Sequence, residues 1–168
     1  MSMTVIEHIE VGSGGAASIT FTSIPQTYTD LYLVCSLRSA TTAAETFLYP
    51  NGSTSNLSAR FLRGSGSGAD SSAVLRWYSS YSTQTANTFS NMTAYFPNYA
   101  GSTAKSYSAD SVAENNATLA FQTINAGLWN DTTPISSLTI DISGDFVQYS
   151  SATLYGITAG SSGGVTVS

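Results

Sequence analysis

Charged side chains are scarce in this chain. Asp, Glu, Lys and Arg make up 9% of its 168 residues, against about a quarter in an ordinary soluble domain. Ten acids face five bases (Arg38, Arg60, Arg63, Arg76 and Lys105), for a net charge of −5. Five scattered cations cannot neutralise a run of phosphates, so nucleic-acid binding through a basic patch is excluded. One cysteine, Cys35, leaves no intrachain disulfide, and in the strand-like "LYLVCSL" it reads as a small buried hydrophobe. One histidine, His8, leaves no His-rich metal cluster and no late imidazole for a serine hydrolase. No stretch approaches the roughly 20 apolar residues of a membrane span. The opening "MSMTVIEHIEV" carries acids where a secretion signal needs Lys or Arg, so synthesis in the cytoplasm without a signal peptide is expected. Helix-length runs of Ala, Glu, Lys and Leu are also missing.

Hydroxyls and aromatics fill the space that charge leaves. Roughly three in ten residues are Ser or Thr, and there are ten Tyr and two Trp. β-Branched Thr and aromatic Tyr fit a pleated surface. Short alternating runs separated by turn residues recur along the chain: "SITFT", "LYLVCSLRS", "ETFLYP", "NLSARFL", "AVLRWYS", "NTFSNMTAYFPN", "KSYSADSVA", "ATLAFQTINAGLW" and "SSLTIDIS". In "LYLVCSLRS", Leu31, Leu33, Cys35 and Leu37 share one face, the pattern of a half-buried strand. Asn51-Gly52 between two such runs signals a hairpin, and "GSGSGAD" (64–70) reads as a flexible loop. The fold class expected is all-β: an antiparallel β-sandwich, jelly-roll-like, of about nine or ten short strands. An N-terminal strand or arm (1–16) would precede the sandwich domain (17–158), and a flexible Gly/Ser-rich arm (159–168) would follow it.

The segment "DFVQYSSATLYGITAG" (145–160) reads as one strand with large side chains on both faces. Phe146, Ala152 and Leu154 fall on one parity, and Tyr149, Tyr155 and Ile157 on the other. The second set is expected to meet a second layer, either a crossing loop or another subunit. Tyr99 and Trp129 join it as interface candidates, because Tyr and Trp combine a large apolar body with a polar tip.

Motifs of catalysis are weak. "GSGGAA" (12–17) matches a dinucleotide-binding glycine pattern, but a β-branched strand follows where a helix must open. "GSSGG" (160–164) matches a nucleophile elbow around Ser162 with no acid or histidine after it. Asp110 with Glu114, and Asp141 with Asp145, are spaced as carboxylate pairs for glycosidase chemistry or Ca²⁺. On strands such pairs cap turns and keep a weakly charged chain dissolved. No catalytic residue, cofactor or metal ligand is expected.

The segments "ITFTSIPQTYTDLYL", "FPNYAGSTAKSYSADSVAENN", "AGLWNDTTPISSLTI" and "FVQYSSATLYGI", in that order, resemble a group of small β-rich virion structural proteins of tailed bacteriophages. These are common in marine and cyanobacterial phages. The likeness covers roughly residues 17–158. It implies a non-enzymatic virion component, a capsid decoration (cement) subunit that clamps the major capsid protein or other virion proteins. Such a subunit would be homo-oligomeric, with a trimer as one arrangement. The alternative it leaves open is a tail-fibre or head-fibre module that binds host surface polysaccharide.

Overall fold

The computed structural model describes residues 2–42, 45–116 and 120–159. It is all-β, with twelve strands among these residues and no helix. They are β1 (Ser2–Glu10), β2 (Ala16–Phe21), β3 (Asp30–Leu37), β4 (Glu45–Pro50), β5 (Leu57–Gly64), β6 (Ala69–Ser72), β7 (Trp77–Tyr78), β8 (Ser90–Phe96), β9 (Lys105–Ala113), β10 (Phe121–Trp129), β11 (Leu138–Phe146) and β12 (Ser151–Thr158). Two antiparallel sheets form the sandwich, an eight-stranded one in the order β1-β12-β3-β8-β9-β10-β5-β6 and a four-stranded one in the order β2-β11-β4-β7.

The pairings nest. β1 pairs with β12, β2 with β11, β3 with β8 and β4 with β7, so the chain is one long hairpin rolled across two sheets. That is the wrapping of an eight-stranded jelly roll. Two hairpins are inserted into it: β5–β6 between β4 and β7, and β9–β10 between β8 and β11. Both join the same sheet beyond β8, where β10 pairs with β5, and widen it to eight strands.

Alternation decides which face is buried. Leu31, Leu33, Cys35 and Leu37 of β3, Met92, Ala94 and Phe96 of β8, and Ala152 and Leu154 of β12 point inward and are buried. They meet Ile19, Phe21, Leu48, Leu138, Ile140 and Phe146 of the smaller sheet in one core. The Cys35 thiol is pushed well above its usual range by burial, which fits its reading as a core hydrophobe. Gly127 of β10 lies under the Tyr107 ring. A Cβ there would come 2.2 Å from Tyr107 Cζ, so the ring occupies the place of the missing side chain.

Three local expectations are corrected. Residues 145–160 do not form one strand: β11 ends at Phe146, the chain turns through Val147–Ser150, and β12 begins at Ser151. Tyr149 sits in that turn at φ 70, so its parity with Tyr155 is a coincidence of numbering. Asn51 and Gly52 do form a turn (φ 51 and 66), yet β4 and β5 do not pair, because the turn carries the chain from one sheet to the other. The Asn51 side chain fixes that crossing by donating to Pro134 O (2.9 Å) and accepting from Ser136 N (2.8 Å) and Ser137 N (3.1 Å). Residues 64–70 close the β5–β6 hairpin, with Ser65 N donating to Gly68 O at 2.9 Å. The strand count is twelve because the inserted hairpins and the two-residue β7 are short or polar. The segment 1–16 contains β1, the margin of the large sheet. Of the expected C-terminal arm, residues 160–168, including Ser162, lie outside the described residues.

Candidate functional site

Side chains not needed for the core gather on the outer face of the eight-stranded sheet. Strand register sets them in rows. One row reads Val5, Tyr155, Tyr32, Tyr95 and Ser108 across β1, β12, β3, β8 and β9. The next reads His8, Thr153, Val34, Thr93, Asp110, Ile124 and Leu62 as far as β5. Of the apolar members, Val5 is 54% exposed, Ile124 58% and Leu62 54%; Met3, beside Ile157, is 55% exposed. Large apolar side chains set side by side in water mark a contact surface more often than scattered single ones do.

Between β3 and β10 this face holds a shallow depression of about 480 Å³, walled by Tyr32, Tyr95, Thr93, Asp110, Gln122 and Ile124 among others. Three hydrogen bonds stiffen it. The Tyr95 hydroxyl donates to Asp30 Oδ2 (2.7 Å), while Asp30 Oδ1 accepts from Asn98 N (2.8 Å). The carboxylate acceptor holds the phenol proton on, raising the Tyr95 pKa, with burial adding to the shift. Thr93 Oγ1 donates to Asp110 Oδ1 at 2.5 Å and orients that carboxylate.

The five interface candidates named from the sequence separate. Tyr155 stands on the outer face opposite Val5 and Tyr32, half-buried. Ile157 is 8% exposed between Met3 and Asp30. Tyr149 is 62% exposed in the turn after β11, where its amide donates to Val11 O (2.9 Å). Tyr99 and Trp129 are buried in the core and reach no surface. Tyr99 donates its hydroxyl to Pro25 O, and Trp129 lies against the Lys105 ammonium (5.9 Å).

The acids are not brought together. Asp110 is on the outer face, whereas Glu114 caps the following turn by accepting from Asn115 N (3.0 Å) and Asn116 N (2.7 Å). Asp141 accepts from its neighbour Ile142 N (2.8 Å) on β11, the strand on which Asp145 also lies. His8 Nδ1 is 2.7 Å from Thr153 Oγ1. Among the described residues no group of three or more His, Cys, Asp or Glu could hold a metal ion. In the sequence Asp110 stands out only as half of a carboxylate pair, and nothing local marks Tyr32, Tyr95, Gln122 or Ile124; only strand register joins all five.

Compared with known proteins, the chain matches no family model, no curated protein and no solved structure.

Proposed function

We propose that this protein is a non-enzymatic virion structural subunit of a tailed phage, seated on the head as a decoration subunit. The observation that carries the reading is the open margin at β1. This nine-residue edge strand pairs with β12 on one side, and on its other side no described strand covers it. Its unpaired backbone groups and the exposed Met3 and Val5 suit docking against a neighbouring protein chain. Glu7, His8 and Glu10 on the same strand suit it less to indiscriminate aggregation. Jelly rolls serve in capsid and lectin domains; that likeness is one of architecture and supports the reading only as analogy. The hydrogen bonds that occupy Glu114 and Asp141 favour a structural role for these acids over hydrolysis.

The partner proposed is the major capsid protein, with further copies of the chain beside it. Val5→Lys is expected to lower the number of copies retained on purified heads while leaving thermal unfolding of the isolated protein within about 0.5 kcal/mol of wild type, as for surface changes. Heads stripped of the protein should lose resistance to heat. Unchanged head stability, with labelled copies found on the tail alone, would refute the assignment.

A further inference from the structure

We infer that the outer-face depression between β3 and β10 is a binding site for a neutral glycan. Tyr32 and Tyr95 stand opposite one another on adjacent strands, about 4.8 Å apart in backbone spacing, a separation comparable with a sugar ring. Among the described residues neither ring stacks on another aromatic side chain, in contrast to the parallel pair Phe47 and Tyr49 (6.1 Å, 3°). Both rings are half-buried and line the depression, and the part of each that faces it can take the C–H face of a sugar, which buries apolar area without needing charge.

The polar groups complete the chemistry. Asp110 is held through Oδ1 by Thr93, which leaves Oδ2 for a sugar hydroxyl, and a charged acceptor makes the stronger hydrogen bond. Gln122 brings both an amide donor and a carbonyl acceptor to the same wall. Ile124 supplies an apolar side wall. Tyr95 is fixed at its far end by Asp30, so little side-chain freedom is lost when a ligand stacks on it.

Charge selects the class of sugar. The walls contain one carboxylate and no Lys or Arg. Arg60, which shares the outer face, lies two strands from β9 and donates to its own neighbour's carbonyl, Ala59 O (2.8 Å). A uronate or sulfated glycan would meet Asp110 without a counter-charge, whereas a neutral oligosaccharide meets hydroxyl-matching groups. A second copy of the chain fits less well, because it would bury the Asp110 carboxylate against a molecule of net charge −5. The site is separate from the docking edge at β1, so either proposal can fail while the other stands.

The test is a backbone-amide NMR titration of the full chain with cellohexaose, maltohexaose, mannohexaose and chitohexaose, and with an oligouronate of equal length. At least one neutral hexasaccharide is expected to shift amides of β3, β8, β9 and β10 with a dissociation constant of about 1 mM or tighter. Tyr32→Ala and Asp110→Asn should each weaken that binding about tenfold, equivalent to ~1.4 kcal/mol, with thermal unfolding unchanged in Asp110→Asn. Tyr95→Phe, which keeps the ring and loses its anchor, should weaken it less. The inference is overturned by any of four results: no shift with the four neutral sugars at about 10 mM, shifts confined to other strands, equal affinity for the uronate, or the same amides shifting with protein concentration alone. Val5→Lys at the β1 margin should leave sugar binding intact.

Discussion

Where β12, β3 and β8 run beneath the smaller sheet, their inward side chains are Ala152, Leu154, Leu31, Leu33, Leu37, Met92 and Phe96, an aliphatic core with few polar atoms. Where β9, β10 and β5 carry the sheet further, the inward residues change character. Ser111 and Thr123 share a buried hydrogen bond of 2.6 Å across β9 and β10. Asn125, turned to suit its neighbours, donates to Arg76 O (3.1 Å) and accepts from Trp77 Nε1 (3.0 Å). The Arg63 guanidinium lies 4.8 Å from the Tyr78 ring and 5.1 Å from Phe121, and Arg76 lies 5.5 Å from both Phe61 and Tyr78.

The cause is geometric. The four-stranded sheet ends in the two-residue β7, which reaches β9 and β10 and stops there. Beyond it the inserted hairpins have no second sheet to pack on among the described residues. Long side chains with an apolar stem and a polar head can cover such a face, because the stem buries area while the head reaches water or a partner. Arg63 pairs with Asp70 (2.9 Å), and Arg76 pairs with Glu45. Lys105 does the same at the end of β9. Its ammonium donates to Gly101 O (2.7 Å), Thr103 O (2.7 Å) and Thr133 O (2.8 Å), joining the loops before and after the β9–β10 hairpin. Covered sheet is closed by aliphatic packing; overhanging sheet is closed by amphipathic cations.

The contrast can be broken at its strongest point first. Leu33→Ala, in the aliphatic half, is expected to cost about 3 kcal/mol through lost burial and a residual cavity, read as a lower urea midpoint. Lys105→Met keeps the stem and deletes the donors, so the three carbonyls lose their shared partner. A loss of about 2 kcal/mol is expected, with protease cleavage appearing first at 97–104 and 130–137.

Alkali should act next. Cys35 and Tyr107 have pKa values raised by burial, so the folded state keeps protons that the unfolded state releases. Stability is therefore full below the unfolded Cys value of 9.0 and falls as pH rises above it. Each such group costs about 1.4 kcal/mol per pH unit past its unfolded pKa. Burial lowers the Lys105 pKa, which acts with the opposite sign just below 10.5. Cys35→Ala should remove the part of the loss that begins near pH 9, as followed by thermal melts at stepped pH. The smallest effect is Arg63→Lys. It keeps the charge but loses the planar stack, and should cost about 0.5–1 kcal/mol, whereas Arg60→Lys on the outer face should cost nothing measurable. Equal losses at the two positions would mean that stacking does not close the overhang.

The aliphatic half was the legible one. Alternation in "LYLVCSL" names its core face directly, and the same rule assigns β8, β11 and β12. The inserted half reads less well because Arg63, Ser111, Thr123 and Asn125 stand among Phe61, Ala109, Phe121 and Trp129 on its inward face, and alternation assigns those polar types to water. The Asn51-Gly52 turn has the same local chemistry whether the strands it joins pair or part, so only the rest of the fold decides. The turn at Val147–Ser150 has neither Gly nor Pro, and a tyrosine takes the positive φ. Tyr99 and Trp129 carry the same aromatic signal as Tyr155, yet a loop buries one and the inner face of β10 the other. The face proposed to bind a glycan draws on four strands, and no local pattern joins Tyr32 to Gln122.

The nesting of the strands bears on how the molecule is made. Ser2 of β1 pairs with Thr158 of β12, so β1 leaves the ribosome long before its partner strand does. Contacts of that span fold slowly, since the loop must close before any pairing compensates for it. Until β12 emerges, β3 has one neighbour missing and β1 has none. A pause or truncation ahead of residue 151 would therefore leave the central strands open to foreign pairing, and the emergence of β12 becomes the step that commits the chain to its fold.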